Sequence, residues 1–94
     1  MEYKIEFTSF AEKQLKKLGN NDIKIILKQI RKRLTNNPEK AGNYLRGELK
    51  GFLKLKFSKY RVIYSIHKRK ITVEIVACGL RKNIYEQFKT FLEK

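Results

Sequence analysis

From Tyr3 to Phe7 the chain alternates, with Tyr3, Ile5 and Phe7 separated by Lys4 and Glu6, the two-residue period of a half-buried strand. The period then lengthens. Ala11, Leu15 and Leu18 recur at i, i+4 and i+7 up to Gly19, and Ser9 with Glu12 has capping-box spacing, so a short helix is predicted there. A second helix is predicted from a cap at Asn21 or Asp22. Its apolar face is Ile23, Ile26, Leu27, Ile30 and Leu34, and Asn36-Asn37-Pro38 stops it. The other faces carry Lys13, Lys16, Lys17, Lys24, Lys28, Arg31 and Lys32, which outlines an amphipathic hairpin with a basic exterior. Solvation accounts for that exterior as well as contact with RNA does.

From 38 to 51 the pattern dissolves around Pro38, Gly42, Gly47 and Gly51, reading as a connection with a short strand from Asn43 to Arg46. The period of two then returns three times. Leu53, Leu55 and Phe57 alternate with Lys54, Lys56 and Ser58; Val62, Tyr64 and Ile66 with Arg61, Ile63 and Ser65; and Ile71, Val73, Ile75 and Ala77 with Thr72, Glu74 and Val76. Ser58-Lys59-Tyr60 and His67-Lys68-Arg69-Lys70 are short enough to be hairpin turns, which predicts an antiparallel meander. Ile84, Phe88 and Phe91 mark a last helix. This order of strand, helical hairpin, meander and helix predicts a single α+β domain over 1–94, in two layers with the helices on one sheet face.

With 94 residues, 41% of them hydrophobic, the chain can bury one core. Charge changes the picture more: 23 Lys and Arg against 9 Asp and Glu leave +14, a field that attracts nucleic acid or an acidic protein. The lone cysteine, Cys78, excludes an intramolecular disulfide and gives no sign of an oxidising compartment. The alternating N-terminus has no apolar run of signal-peptide or membrane-span length, so a cytoplasmic protein is expected.

Strand period puts Lys54 and Lys56 on one sheet face, with Leu53, Leu55 and Phe57 on the other. Such a pair fits a phosphate backbone, although lysines also guard strand edges against unwanted pairing. Arg61, just after the turn, brings a planar fork beside two point charges, a combination suited to an oxyanion. After the last strand, Gly79 permits a sharp exit, and Arg81 and Tyr85 are four residues apart, neighbours if the helix already runs there.

The run "LKLKFSKYRVIY", the later "CGLRKNIY", the "YLRGEL" at Tyr44 to Leu49 and the element order together resemble the RelE/ParE toxin superfamily, most of all its RelE branch, over nearly the whole chain. The resemblance implies a RelE-like fold and a ribosome-dependent endoribonuclease that cuts messenger RNA in the ribosomal A site, restrained by an acidic antitoxin. The site it implies consists of Lys54, Lys56, Arg61, Arg81 and Tyr85, with neither metal nor cofactor. The RNA supplies its own nucleophile, the 2′-hydroxyl, so the protein has to position the nucleotide, stabilise charge and move protons. Lys54, Lys56 and Arg61 would face the phosphorane-like transition state, Arg81 the leaving oxygen, and Tyr85 a base or the 2′-hydroxyl. Base and acid stay unassigned among these groups. A ParE-like toxin that poisons gyrase and a non-catalytic RNA-binding relative are the other classes, and the full set of five residues favours RNA cleavage. His67 reads as a solvated turn residue and Cys78 as a small buried one.

Overall fold

A computed structural model describes residues 2–82 and 84–93; both ends of the expected 1–94 unit, and Asn83 within "CGLRKNIY", lie outside the described residues. Strand β1 (Lys4–Phe7) leads into helices α1 (Ser9–Lys16), α2 (Asn20–Leu34) and the one-turn α3 (Pro38–Ala41). Strand β2 (Asn43–Tyr44) and a 3-10 turn over Gly47–Leu49 precede β3 (Leu53–Phe57), β4 (Tyr60–His67), β5 (Thr72–Leu80) and helix α4 (Ile84–Leu92). The five strands form one sheet in the order β1-β5-β4-β3-β2. The expected antiparallel meander is present as β3-β4-β5, and β1 joins it in parallel with β5.

Helix starts differ from the expected caps. Thr8 caps α1, its hydroxyl accepting the Ala11 N–H at 3.1 Å, so Ser9 is the first helical residue and the Ser9–Glu12 box is not formed. Gly19 occupies the cap position of α2 without a side-chain bond, and Asn21 and Asp22 fall inside the first turn. The freed Asp22 carboxylate accepts a hydrogen bond from the Tyr60 hydroxyl instead. In the stretch read as a connection, Pro38 opens α3 because its fixed φ suits a first helical turn and no N–H is needed there.

Alternation sends Leu53, Leu55, Val62, Tyr64, Val73 and Ile75 to one sheet face, where they pack on Ala11 of α1 and Ile26, Ile30 and Leu34 of α2. β5 does not alternate to its end. Tyr64 pairs with Ile75 and Ile63 with Ala77, so Val76 is an extra, bulged residue. Beyond it the phase reverses: Cys78 joins the α1–α2 core, whereas Val76 and Ala77 join Ile63 and Leu49 beneath Ile84 and Phe88 of α4. Helix α4 thus covers the face opposite the helical pair, so the helices are not all on one sheet face as expected: the phase change at Val76 turns Ala77 to that side and gives α4 an apolar seat there. Phe88 lies edge-on to Phe52 at 5.2 Å between ring centroids. Among the described residues, no helix is long and apolar enough to cross a membrane.

The passage from α3 to β2 is the tightest point. The Tyr64 hydroxyl, buried, donates to the Pro38 carbonyl at 2.6 Å. A Cβ on Gly42 would overlap both that hydroxyl and the Lys54 carbonyl. Gly42→Ala is therefore expected to lower stability by about 1–3 kcal/mol through overpacking, read as a lower urea midpoint at unchanged m.

Candidate active site

The site begins at a two-residue turn. Ser58 and Lys59 join β3 to β4, with Phe57 opposite Tyr60, and Ser58 takes φ 53 at a position that usually goes to glycine. This short turn sets Lys56 directly opposite Arg61 and Lys54 opposite Ile63. Directly opposed residues have Cβ atoms about 5 Å apart, and the two lysines, two residues apart on one strand, are about 7 Å apart. Three cations therefore share one sheet face, and like charges directly opposite each other destabilise a strand pair. Among the described residues no ion pair reaches Lys54, Lys56, Arg61 or Arg81; the pairs present join Lys59 to Asp22, His67 to Glu74, Lys68 to Glu39 and Lys89 to Glu48.

Arg61 is held by its own turn. Its Nη1 donates to the Tyr60 carbonyl at 2.7 Å and to the Ser58 carbonyl at 3.2 Å. Across the ladder its partner is Gly79, which puts no side chain on the face. Arg81 lies in the turn after β5, exposed, and its backbone N–H donates to the Lys59 carbonyl at 2.8 Å. Since α4 starts at Ile84, Arg81 is not on the helix, and the helical i, i+4 relation with Tyr85 does not apply. The end of β5 reaches the site through the hairpin turn.

Tyr85 is the second residue of α4, half-buried against the cluster formed by Ile63, Ala77, Ile84 and Phe88. Burial pushes its phenol above the ordinary tyrosine range, while the positive charge of the nearby Arg61 guanidinium opposes the shift. Lys54, Lys56, Arg61 and Tyr85 thus meet on one face, with Arg81 at its margin.

The other singled-out residues stand apart. His67 is the last residue of β4, six positions along the strand from Arg61, or about 20 Å. One nitrogen, Nε2, serves both Ser65 at 3.2 Å and Glu74 at 3.3 Å, whereas a nucleophilic triad needs the two ring nitrogens to take different partners. Cys78 is buried with its thiol pushed up to about 12, so no thiolate forms near neutrality. Tyr60, expected in the hairpin turn, instead opens β4 opposite Phe57. Its hydroxyl donates to Asp22, a contact that nothing local in the sequence named.

The model of the family described as ParE-like toxin of type II bacterial toxin–antitoxin system matches residues 5–89. The chain belongs to this toxin family. A toxin named RelG from Mycobacterium tuberculosis (strain ATCC 25618 / H37Rv) is 30% identical to it over 87 residues, covering 93% of this chain and all of the relative. Among solved structures, this toxin resembles the RelBE2 toxin–antitoxin complex of M. tuberculosis with a TM-score of 0.82 and 28% identity, over 86% of this chain and 93% of the other. It also resembles the isolated RelE toxin of E. coli, with a TM-score of 0.70 and 26% identity, over 96% and 98% of the two chains. The toxin is accordingly a type II toxin of the RelE/ParE superfamily with the RelE-like fold.

Because Arg61 opposes the rise of the Tyr85 phenol, Arg61→Ala in this toxin should move Tyr85 ionisation to higher pH, read from the ring 13Cζ resonance across an alkaline titration. An unmoved or lowered titration would show that the guanidinium does not act on the phenol.

Proposed function

We propose that this toxin is a metal-independent endoribonuclease that cuts messenger RNA in the ribosomal A site and so inhibits translation. The observation that carries the reading is the cross-strand pairing of Lys56 with Arg61, with Lys54 alongside and Tyr85 beside the guanidinium. A sheet face that accumulates unneutralised like charge loses stability, and a bound phosphate, carrying more negative charge at the transition state, returns it.

In the reaction the 2′-hydroxyl oxygen attacks the adjacent phosphorus, the bond from phosphorus to the 5′-oxygen breaks, and the products are a 2′,3′-cyclic phosphate and a 5′-hydroxyl. Lys54, Lys56 and Arg61 stabilise the equatorial oxygens, and Arg81 supports or protonates the leaving 5′-oxygen, which departs as the hydroxyl. Proton abstraction falls to Lys54 or Tyr85. Burial keeps the resting Tyr85 phenol protonated, which suits it to stacking on a base. Side chains with such high ordinary pKa values need a well-placed substrate, and the ribosome supplies that placement.

The partner that silences the toxin is an acidic antitoxin. Relatives of this chain have been solved as RelBE toxin–antitoxin complexes from M. tuberculosis and E. coli. A charge of +14 attracts an acidic chain, and Leu80, Phe91 and Leu92, exposed by 45%, 44% and 46%, offer it apolar surface. Toxin, antitoxin and ribosome meet in the cytoplasm, with residues 1–94 acting as one domain.

A second reading, a ParE-like toxin that poisons gyrase, draws on the description of the matched family. Induced expression in bacteria, with 5′ ends of translated messages mapped by primer extension, separates the two. RNA cleavage predicts new translation-dependent cuts that Arg81→Ala and Lys54→Ala each weaken by about 100-fold or more. Growth arrest with SOS induction and no such cuts points to gyrase, and absence of toxicity points to a non-catalytic RNA-binding relative.

A further inference from the structure

The turn that displays the cations is tethered from behind, by a helix on the opposite face of the sheet. All three successive carbonyls of the segment Ser58-Lys59-Tyr60 are spent on site arginines: Ser58 and Tyr60 accept from the Arg61 guanidinium, and Lys59 accepts from the Arg81 N–H. Whatever fixes this turn therefore fixes both arginines. The turn is poorly suited to holding itself, because Ser58 sits at positive φ without glycine's freedom. Hairpin ends open more easily than the strands behind them.

The fixed point is Asp22, in the first turn of α2. Its carboxylate accepts a hydrogen bond from the hydroxyl of Tyr60, whose side chain is 2% exposed, and the Lys59 ammonium lies 3.9 Å away. A charged acceptor ties a hydroxyl more strongly than a neutral one, this bond is part-buried, and the acceptor is anchored in a helix of 15 residues packed on the core. Tyr60 also tilts against Phe57, with ring centroids 5.6 Å apart, which closes the base of the turn. Asp22 is free for this role because the cap of α2 is Gly19.

We infer that Asp22 is a positioning residue, which through Tyr60 clamps the β3–β4 turn and thereby sets Arg61 and Arg81 against the phosphate. The inference rests on the proposed RNA cleavage for its kinetic consequence but not for its structural one.

The test uses the full chain with Tyr60→Phe, Asp22→Ala, Asp22→Asn, the double variant Asp22→Ala/Tyr60→Phe, and Lys59→Ala as a control for surface charge. Amide hydrogen exchange is read at Arg81 and, as a reference, at Val73 and Ile75. Tyr60→Phe and Asp22→Ala are each expected to speed exchange at Arg81 by about 10-fold while the two core amides hold. Single-turnover cleavage of A-site messenger RNA at saturating ribosomes should fall by about 10- to 100-fold with the half-saturating ribosome concentration unchanged. The double variant should lose no more than the worse single one, and Asp22→Asn, which keeps an acceptor, should recover most of the rate. Unchanged exchange at Arg81, core amides that speed up equally, or a Lys59→Ala loss as large as that of Tyr60→Phe would each overturn the clamp. If the unaltered toxin cuts no message, the proposed function fails while the exchange data still decide the clamp.

Discussion

Antiparallel pairing across a two-residue turn governs the rest of this structure. With only Ser58 and Lys59 between β3 and β4, the register has no slack, and Lys56 must stand opposite Arg61. One residue more in the turn would carry Arg61 to the other face, because strand side chains alternate. The same turn also gives its carbonyls to Arg61 and Arg81. Local geometry thus assembles charges that are otherwise separated by 25 positions of chain from Lys56 to Arg81.

The arrangement runs against the interest of the fold. The three nearby cations Lys54, Lys56 and Arg61 repel, and the described carboxylates that form ion pairs do so elsewhere. Stability has to come from the two apolar clusters on either side of the sheet. Such a conflict between local electrostatics and fold is where a functional surface is expected, since a site for an anion must be left uncompensated until the anion arrives.

Two clusters exist because β5 slips by one residue at Val76. An uninterrupted strand would have kept Ala77 with Val73 and Ile75 and sent Cys78 to the α4 side. The bulge instead gives the helical pair a thiol of small volume at its margin, and gives α4 an apolar seat on Ile63, Val76 and Ala77. Tyr85, on the first turn of α4, is delivered next to Arg61 by that seat. A backbone irregularity on one strand thereby determines whether the aromatic residue and the guanidinium meet.

Periodicity in the sequence was sufficient for the longer elements and their class, though not for α3: two helices with one apolar stripe each, four alternating strands and a terminal helix have few ways to bury their faces. The same alternation put Lys54 and Lys56 together and away from the core. The motif around "LKLKFSKYRVIY" and "CGLRKNIY" singled out Arg61, Arg81 and Tyr85 by resemblance, and spacing alone did not bring them together. Tertiary structure decided the rest. Caps moved to Thr8 and Gly19 because the preceding chain enters from a strand or a tight bend, and that released Asp22 for Tyr60. The register opposing Lys56 to Arg61, the bulge at Val76, the seat of α4 and the acceptor of the Tyr60 hydroxyl all depend on partners distant in sequence. Periodicity specifies which face of an element is apolar, but the partner of that face and the offset of their contact are set only when the whole core closes.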